Sequence, residues 1–246
     1  MDKDKETPLH LASRRAQMEV TRILIDRGAD VTAQNKDAMA PLHLASLEGH
    51  LEVACMLIEG GADVMAQNKD KDTPLHLALI KGQAEFIQMV IEYGVDVAAQ
   101  NNDGDTLLHL MSRRAKGDPE APRYYLSPSR LPEVPRMLIK RGADITARNK
   151  NGGTPLHVAS YQGLAEVVRM FILRGSDMKA QDKDGRTPLH LASQEGQKAA
   201  ALMLILYGAD MMAQDKDGKT PLHLASQEGK EDIARMLIER GADMTA

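Results

Sequence analysis

Seven histidines occupy one sequence context. His10, His43, His76, His109, His157, His190 and His223 each close the string Thr-Pro-Leu-His or a near variant of it. Five of the six intervals are 33 residues, and the sixth, His109 to His157, is 48. Histidine is the commonest metal ligand and the side chain that titrates near neutral pH. A row of seven therefore first suggests a metal array, and the spacing argues against it. An interval of this length places each imidazole at the equivalent point of a separate structural unit. Packed helices lie roughly 10 Å apart, whereas zinc needs its ligand atoms at about 2.0–2.3 Å. The expected role is structural: each ring hydrogen-bonds backbone in its own or the adjacent unit, because buried polar groups need partners. The eighth, His50, falls at the start of a helix and is expected to be exposed.

Other signatures of catalysis or ligand binding also fail on spacing. Gly218-Lys219-Thr220 resembles the end of a phosphate-binding loop, but that loop needs a glycine where Ala213 stands. Asp182-Lys183-Asp184-Gly185 and Asp215-Lys216-Asp217-Gly218 resemble calcium loops, but the glycine comes too early and the closing glutamate is missing. Cys55 has no basic partner in sight to activate it. Neither an enzyme nor a cofactor is expected.

The elements that position these histidines can be read from one unit. Thr220 precedes Pro221; a threonine hydroxyl caps a helix start, and proline suits the first helical position because no amide hydrogen is needed there. A short helix follows and stops at Gly229, where a left-handed backbone costs glycine little. A second helix is predicted from about Glu231 to Arg240, with Ile233, Met236 and Leu237 forming one apolar stripe. The polar run from Gly208 to Gly218 reads as a projecting hairpin. Neither helix can bury its apolar face alone, so the units must stack. The string Gly-Ala-Asp, beginning at Gly28, Gly61, Gly142, Gly208 and Gly241 with variants at Gly94 and Gly175, keeps the same period.

Together these motifs resemble the ankyrin repeat family, and the resemblance covers residues 2–246. The expected fold is an all-α repeat, an α-solenoid of helix-turn-helix modules with projecting β-hairpin loops. The expected modules are 2–34, 35–67, 68–100, 101–148, 149–181, 182–214 and 215–246, forming a single domain, with an insertion near 116–130.

Composition agrees. Aromatics are 3% and tryptophan is absent, so thin helical layers are filled by aliphatic side chains, methionine and alanine. A single cysteine excludes an internal disulfide framework and suits a reducing compartment. The charged start leads into no secretory signal. The longest apolar run, Ala199 to Tyr207, falls well short of the roughly 20 residues that span a bilayer. An intracellular, cytoplasmic protein without membrane insertion is expected. The net charge of −4 gives no reason to expect nucleic acid.

Where modules agree, the sequence describes a framework; where they differ, it points to a partner. The resemblance implies a concave groove lined by hairpin tips and by the ends of the first helices. The residue before Thr-Pro is Glu6, Met39, Asp72, Asp105, Gly153, Arg186 and Lys219 in turn. The pair ending the first helix is Arg14-Arg15, Leu47-Glu48, Ile80-Lys81, Arg113-Arg114, Tyr161-Gln162, Gln194-Glu195 and Gln227-Glu228. Met39, Leu47, Leu79 and Ile80 thus place apolar groups where later modules carry Ser, Gln and Glu. Grouped apolar residues rimmed by charge mark an interface; the competing reading tucks Leu79 and Ile80 into the core between modules. Tyr161 adds an aromatic further along. The insertion carries Tyr124 and Tyr125 among basic residues, and a loop this long inside a compact repeat is functional or disordered. Leu173, Leu202, Leu206 and Tyr207 form an apolar strip on the opposite, convex face, a candidate second interface or site of self-association.

The sequence therefore predicts a non-catalytic scaffold that binds a protein or peptide through the groove of modules 1–5 and the insertion. The alternative is a structural or regulatory arm of a larger receptor or enzyme.

Overall fold

A computed structural model describes residues 3–93, 95–112 and 133–244. The described residues fold into seven pairs of short helices. The first helices of the pairs are α1 (Pro8–Arg14), α3 (Pro41–Glu48), α5 (Pro74–Lys81), α7 (Leu107–Met111), α9 (Pro155–Gln162), α11 (Pro188–Glu195) and α13 (Pro221–Gln227). The second helices are α2 (Met18–Asp26), α4 (Leu51–Glu59), α6 (Ala84–Glu92), α8 (Glu133–Lys140), α10 (Ala165–Leu173), α12 (Lys198–Leu206) and α14 (Glu231–Glu239). Each first helix packs on the next, from α1 on α3 through to α11 on α13, so the inner layer is continuous. Each second helix lies against its own first helix and forms the outer layer.

One core runs the length of the stack. It alternates Leu42, Leu75, Leu108, Leu156 and Leu189 of the inner helices with Leu57, Val90, Leu138, Phe171, Leu204 and Leu237 of the outer ones. Helices this short are marginal alone; their stability comes from neighbours on both sides. Local signals set their limits. Proline occupies the first turn of six inner helices. Gly49, Gly82, Gly163 and Gly196 end inner helices with left-handed backbone, φ 75, 76, 77 and 76°.

The hairpins are closed by turns rather than strands; among the described residues the one β-bridge pairs Gln100 with Thr106. Each turn has the same wiring. The Asn68 amide donates to the Asp72 carbonyl, and the Asn68 Oδ1 accepts from the amides of Asp70 and Asp72. Asn35, Asn101, Asn149, Asp182 and Asp215 repeat that arrangement. Successive hairpins are joined by one backbone hydrogen bond each: Lys36 to Asp4, Lys69 to Asp37, Asn102 to Asp70, Lys150 to Asp103, Lys183 to Asn151 and Lys216 to Asp184, at 2.7–3.1 Å.

The insertion near 116–130, with Arg113, Arg114, Tyr124 and Tyr125, lies outside the described residues. Helix α8 resumes the pattern after it, with Pro135 in its first turn, where no amide bond is lost.

Candidate protein-binding surface

The histidine row is the seam of the stack. In each motif the backbone amide three residues earlier donates to Nδ1, at 3.1 Å for Thr7 to His10, 3.0 Å for Ala40 to His43 and 3.1 Å for Thr154 to His157. That bond fixes the tautomer, so the proton sits on Nε2. Nε2 then donates into the next hairpin: His10 to the Met39 carbonyl at 2.9 Å, His43 to Asp72 at 3.3 Å, His109 to Gly153 at 3.0 Å, His157 to Arg186 at 3.1 Å and His190 to Lys219 at 3.0 Å. One side chain thereby caps its own helix and fastens the following unit. Burial lowers the pKa of His43, His76 and His157 from 6.5 to about 4, and that of His190 in the same direction. The rings stay neutral at physiological pH and keep the donor that the seam requires.

A second line of seam contacts runs beside the first. Asn35 Nδ2 reaches Glu6 at 3.5 Å, Asn101 Nδ2 reaches Asp72 at 3.0 Å, and Asn149 Nδ2 reaches Asp105 at 2.9 Å. These three acids are buried. The position before Thr-Pro, expected in the groove, thus belongs partly to the seam. Where an acid stands there, the next hairpin begins with Asn. After Gly153 and Arg186 it begins with Asp182 and Asp215.

His50 corrects the sequence expectation. It is half-buried, and its Nε2 lies 3.0 Å from the Arg14 carbonyl. Gln83 repeats the contact, donating to the Leu47 carbonyl at 3.3 Å. Carbonyls in the last turn of a helix lack intrahelical partners, and the next unit supplies them. The position one residue after the inner-helix stop was legible as a repeated polar site, Gln17, His50, Gln83, Gln197 and Lys230, but its partner was not.

The sequence-predicted contact residues separate into three groups. Leu79 is corrected: it is 1% exposed and belongs to the core. Its equivalents Ser13, Ser46, Ser112, Ser160 and Ser193 are fully buried as well, and Ser226 of the last module is exposed, so the position faces the next unit of the stack. Ile80 is 43% exposed, and Leu47 and Tyr161 are half-exposed, at equivalent ends of α5, α3 and α9. Arg15 is exposed; Arg14, half-exposed, forms an ion pair with Glu6, and Met39 is half-buried beside the seam. On the outer layer, Leu173 and Leu206 are each 59% exposed at equivalent ends of α10 and α12, and Tyr207 follows. Leu202 instead packs partly against the core. Among the described residues no cluster of His, Cys, Asp or Glu could hold a metal ion, and no helix is long and apolar enough to cross a membrane.

Stacked helix pairs joined by turns and tied by a histidine seam define a helical repeat protein whose surface is a row of equivalent, variable positions. Sequence comparison specifies the class. The profile described as ankyrin repeats (3 copies) matches residues 1–68, 126–215 and 166–246, and that described as ankyrin repeats (many copies) matches residues 57–111. The chain belongs to the ankyrin repeat family, whose domains are in general protein–protein interaction scaffolds. The fold is similar to the ankyrin repeat domain of human ASB11, with TM-score 0.79 and 24% identity over 97% of this chain and 99% of that one. It is also similar to the ankyrin repeat domain of Bcl-3, a member of the IkappaB protein family, with TM-score 0.73 and 27% identity over 95% of this chain and 100% of that one. No curated protein sequence matches the chain significantly.

Proposed function

We propose that residues 2–246 form one ankyrin repeat domain that binds a protein or peptide along the inner-helix ends of its first five modules, without catalysis of its own. The observation that carries this reading is the row Leu47, Ile80 and Tyr161. These apolar or aromatic side chains keep solvent exposure at the position where the last two modules carry Gln194 and Gln227. A large side chain at an interface centre contributes most when it is desolvated. The rigid scaffold behind it limits the ordering cost of association. Arg15 and Lys81 flank the row and favour an acidic rim on the partner. Arg14, Arg113, Arg114, Tyr124 and Tyr125 belong to the same proposal, as does a cytoplasmic setting. Nothing in the net charge favours nucleic acid.

The strip of Leu173, Leu206 and Tyr207, with Leu202 beneath it, is a second contact surface. Its support is that Asp26, Glu59, Glu92, Lys140 and Glu239 occupy the equivalents of Leu173 and Leu206. If the domain is instead an arm of a larger receptor or enzyme, this strip rather than the groove makes its principal contact.

Selection of peptides from a random displayed library against the 246-residue array tests the reading. Peptides that bind the array should lose affinity for Ile80→Ala and Tyr161→Ala and keep it for Leu206→Glu. Peptides indifferent to both groove substitutions would refute it.

A further inference from the structure

The outer layer changes character over modules 4–6. At the last position of the outer helices, Asp26, Glu59, Glu92 and Glu239 give way to Lys140, Leu173 and Leu206. One residue further on, the same three modules carry Arg141, Arg174 and Tyr207. These side chains are exposed, Leu173 and Leu206 by 59% each. Helix α12 contains no acidic residue, and Glu166 of α10 is held by Arg169 at 2.9 Å. Arg169 also interacts with Tyr207 across the α10–α12 junction, so the face continues from one module to the next.

Charge and spacing together say what covers this face. The charge is graded along the stack. Module 4 offers Lys140 and Arg141, module 5 offers Leu173 beside Arg174, and module 6 offers Leu206 beside Tyr207. A partner must be acidic over α8 and apolar over α12. Glu92 and Glu239, exposed at the same helical position on either side, confine it to three modules. A broad anionic surface such as a lipid bilayer would press on both acids; a narrow segment lies between them. Successive packed helices are roughly 10 Å apart. Seven residues of α-helix rise about 10.5 Å and return to nearly the same face. An extended strand covers that distance in about three residues, and residues i and i+3 of a strand point to opposite faces. One helix can therefore meet three modules with one face, and one strand cannot.

We propose that the outer face of modules 4–6 docks an amphipathic helix of a folded partner protein, lying across α8, α10 and α12. An Asp or Glu of that helix sits over Lys140 and Arg141, and apolar residues about seven and about fourteen positions away sit over Leu173 and Leu206. The helix is already formed in its own protein, because an isolated helix of about 15 residues is marginal in water. The cations set orientation and speed approach, and the desolvated leucines hold the complex. This inference rests on the reading of the strip as a second contact surface and names the chemistry of its partner.

The test is a library that randomises one face of a helix within a folded helical-bundle protein, selected on the 246-residue array. Binders that also bind Leu206→Glu are removed, so those that remain use the strip. They should be enriched in Asp or Glu at one position and in apolar residues about seven and about fourteen positions away. Their affinity should fall about tenfold on Lys140→Glu and stay unchanged on Ile80→Ala. Both strip variants should keep the parent's circular dichroism, since Lys140 and Leu206 face solvent. Remaining binders that show no acidic preference, or that ignore Lys140→Glu, would overturn the proposal and leave the strip a contact surface. A selection that yields no Leu206-dependent binder would overturn the proposal and the strip reading together. Co-sedimentation with phosphatidylserine vesicles that is lost on Leu206→Glu would overturn the proposal in favour of a membrane. A parent dimer made monomeric by Leu206→Glu would overturn it in favour of a second copy of the chain.

Discussion

The seam and the groove row lie on the same inner helices, about one turn apart, and they obey opposite rules. Along the seam, His43, His109, His157 and His190 keep one residue, one tautomer and one partner position. Along the row, Arg14, Leu47, Ile80, Tyr161, Gln194 and Gln227 share a backbone position and little else. The seam is buried, so any change there leaves unpaired donors and acceptors. The row faces water, where substitution costs the fold little. Repetition therefore reports what holds the stack together, and departure from repetition marks the surface free to serve a partner.

The sharpest way to break this contrast is to exchange the sensitivities of the two regions. His157→Ala should lower stability by about 2–4 kcal/mol, because it strands the Thr154 amide and the Arg186 carbonyl in a buried junction. The denaturant midpoint measures it, and the same substitution at Leu47 should move that midpoint far less.

Acid sharpens the contrast next. His43, His76 and His157 hold folded-state pKa values of about 4, against about 6.5 for an unfolded chain. Between those values the unfolded state takes up protons that the folded state refuses. Stability is therefore full above about pH 6.5 and falls as pH drops toward about 4; below that these groups add no further change. Denaturant midpoints at about pH 7.5 and about pH 5 should show the loss. Equal midpoints would mean that the rings are not held neutral.

Effects on the row should appear in binding instead. Leu47→Ala and Tyr161→Ala should each weaken a selected peptide by about 1–3 kcal/mol in calorimetry, with thermal unfolding little changed. Gln227→Ala, at the same position in the last module, should leave binding as it was.

The smallest effect lies where the seam itself departs from its rule. Helix α3 starts at Ala40, whose amide bonds His43 but whose side chain caps nothing. In α5 the Thr73 hydroxyl accepts from the His76 amide. Ala40→Thr should raise stability by about 1 kcal/mol. An unchanged denaturant midpoint would show that the His43 bond already suffices.

Much of this was legible in the sequence, because period, helix caps and apolar stripes are local. Thr220-Pro221 and Gly229 bracket a first helix that the structure runs from Pro221 to Gln227, and the second helix predicted from about Glu231 spans Glu231–Glu239. The structural role of the histidines followed from spacing alone. Leu79 was misplaced because its neighbour Ile80 is exposed and a single helix of eight residues does not announce where its buried arc ends. Aligning it with the serines of other modules carries the signal: a small residue kept at one position in six modules marks contact with the stack. His50 was misjudged for a different reason. Its partner, the Arg14 carbonyl, is backbone in another module, and a residue's own sequence neighbourhood does not report that. Left-handed Lys5, Ala38 and Lys71, φ 58, 58 and 59°, stand where Gly104, Gly152, Gly185 and Gly218 stand later, so the hairpin geometry persists even where the sequence gives no glycine to signal it.

One comparison decides most directly whether the inner-helix row is the binding surface. A peptide selected on the parent array is titrated by calorimetry onto Ile80→Ala and onto Leu206→Glu, with the thermal unfolding of each variant recorded. Ile80→Ala should bind at least about tenfold more weakly while unfolding as the parent does, and Leu206→Glu should bind as the parent does. Intact binding to Ile80→Ala together with lost binding to Leu206→Glu would contradict it and place the site on the outer strip.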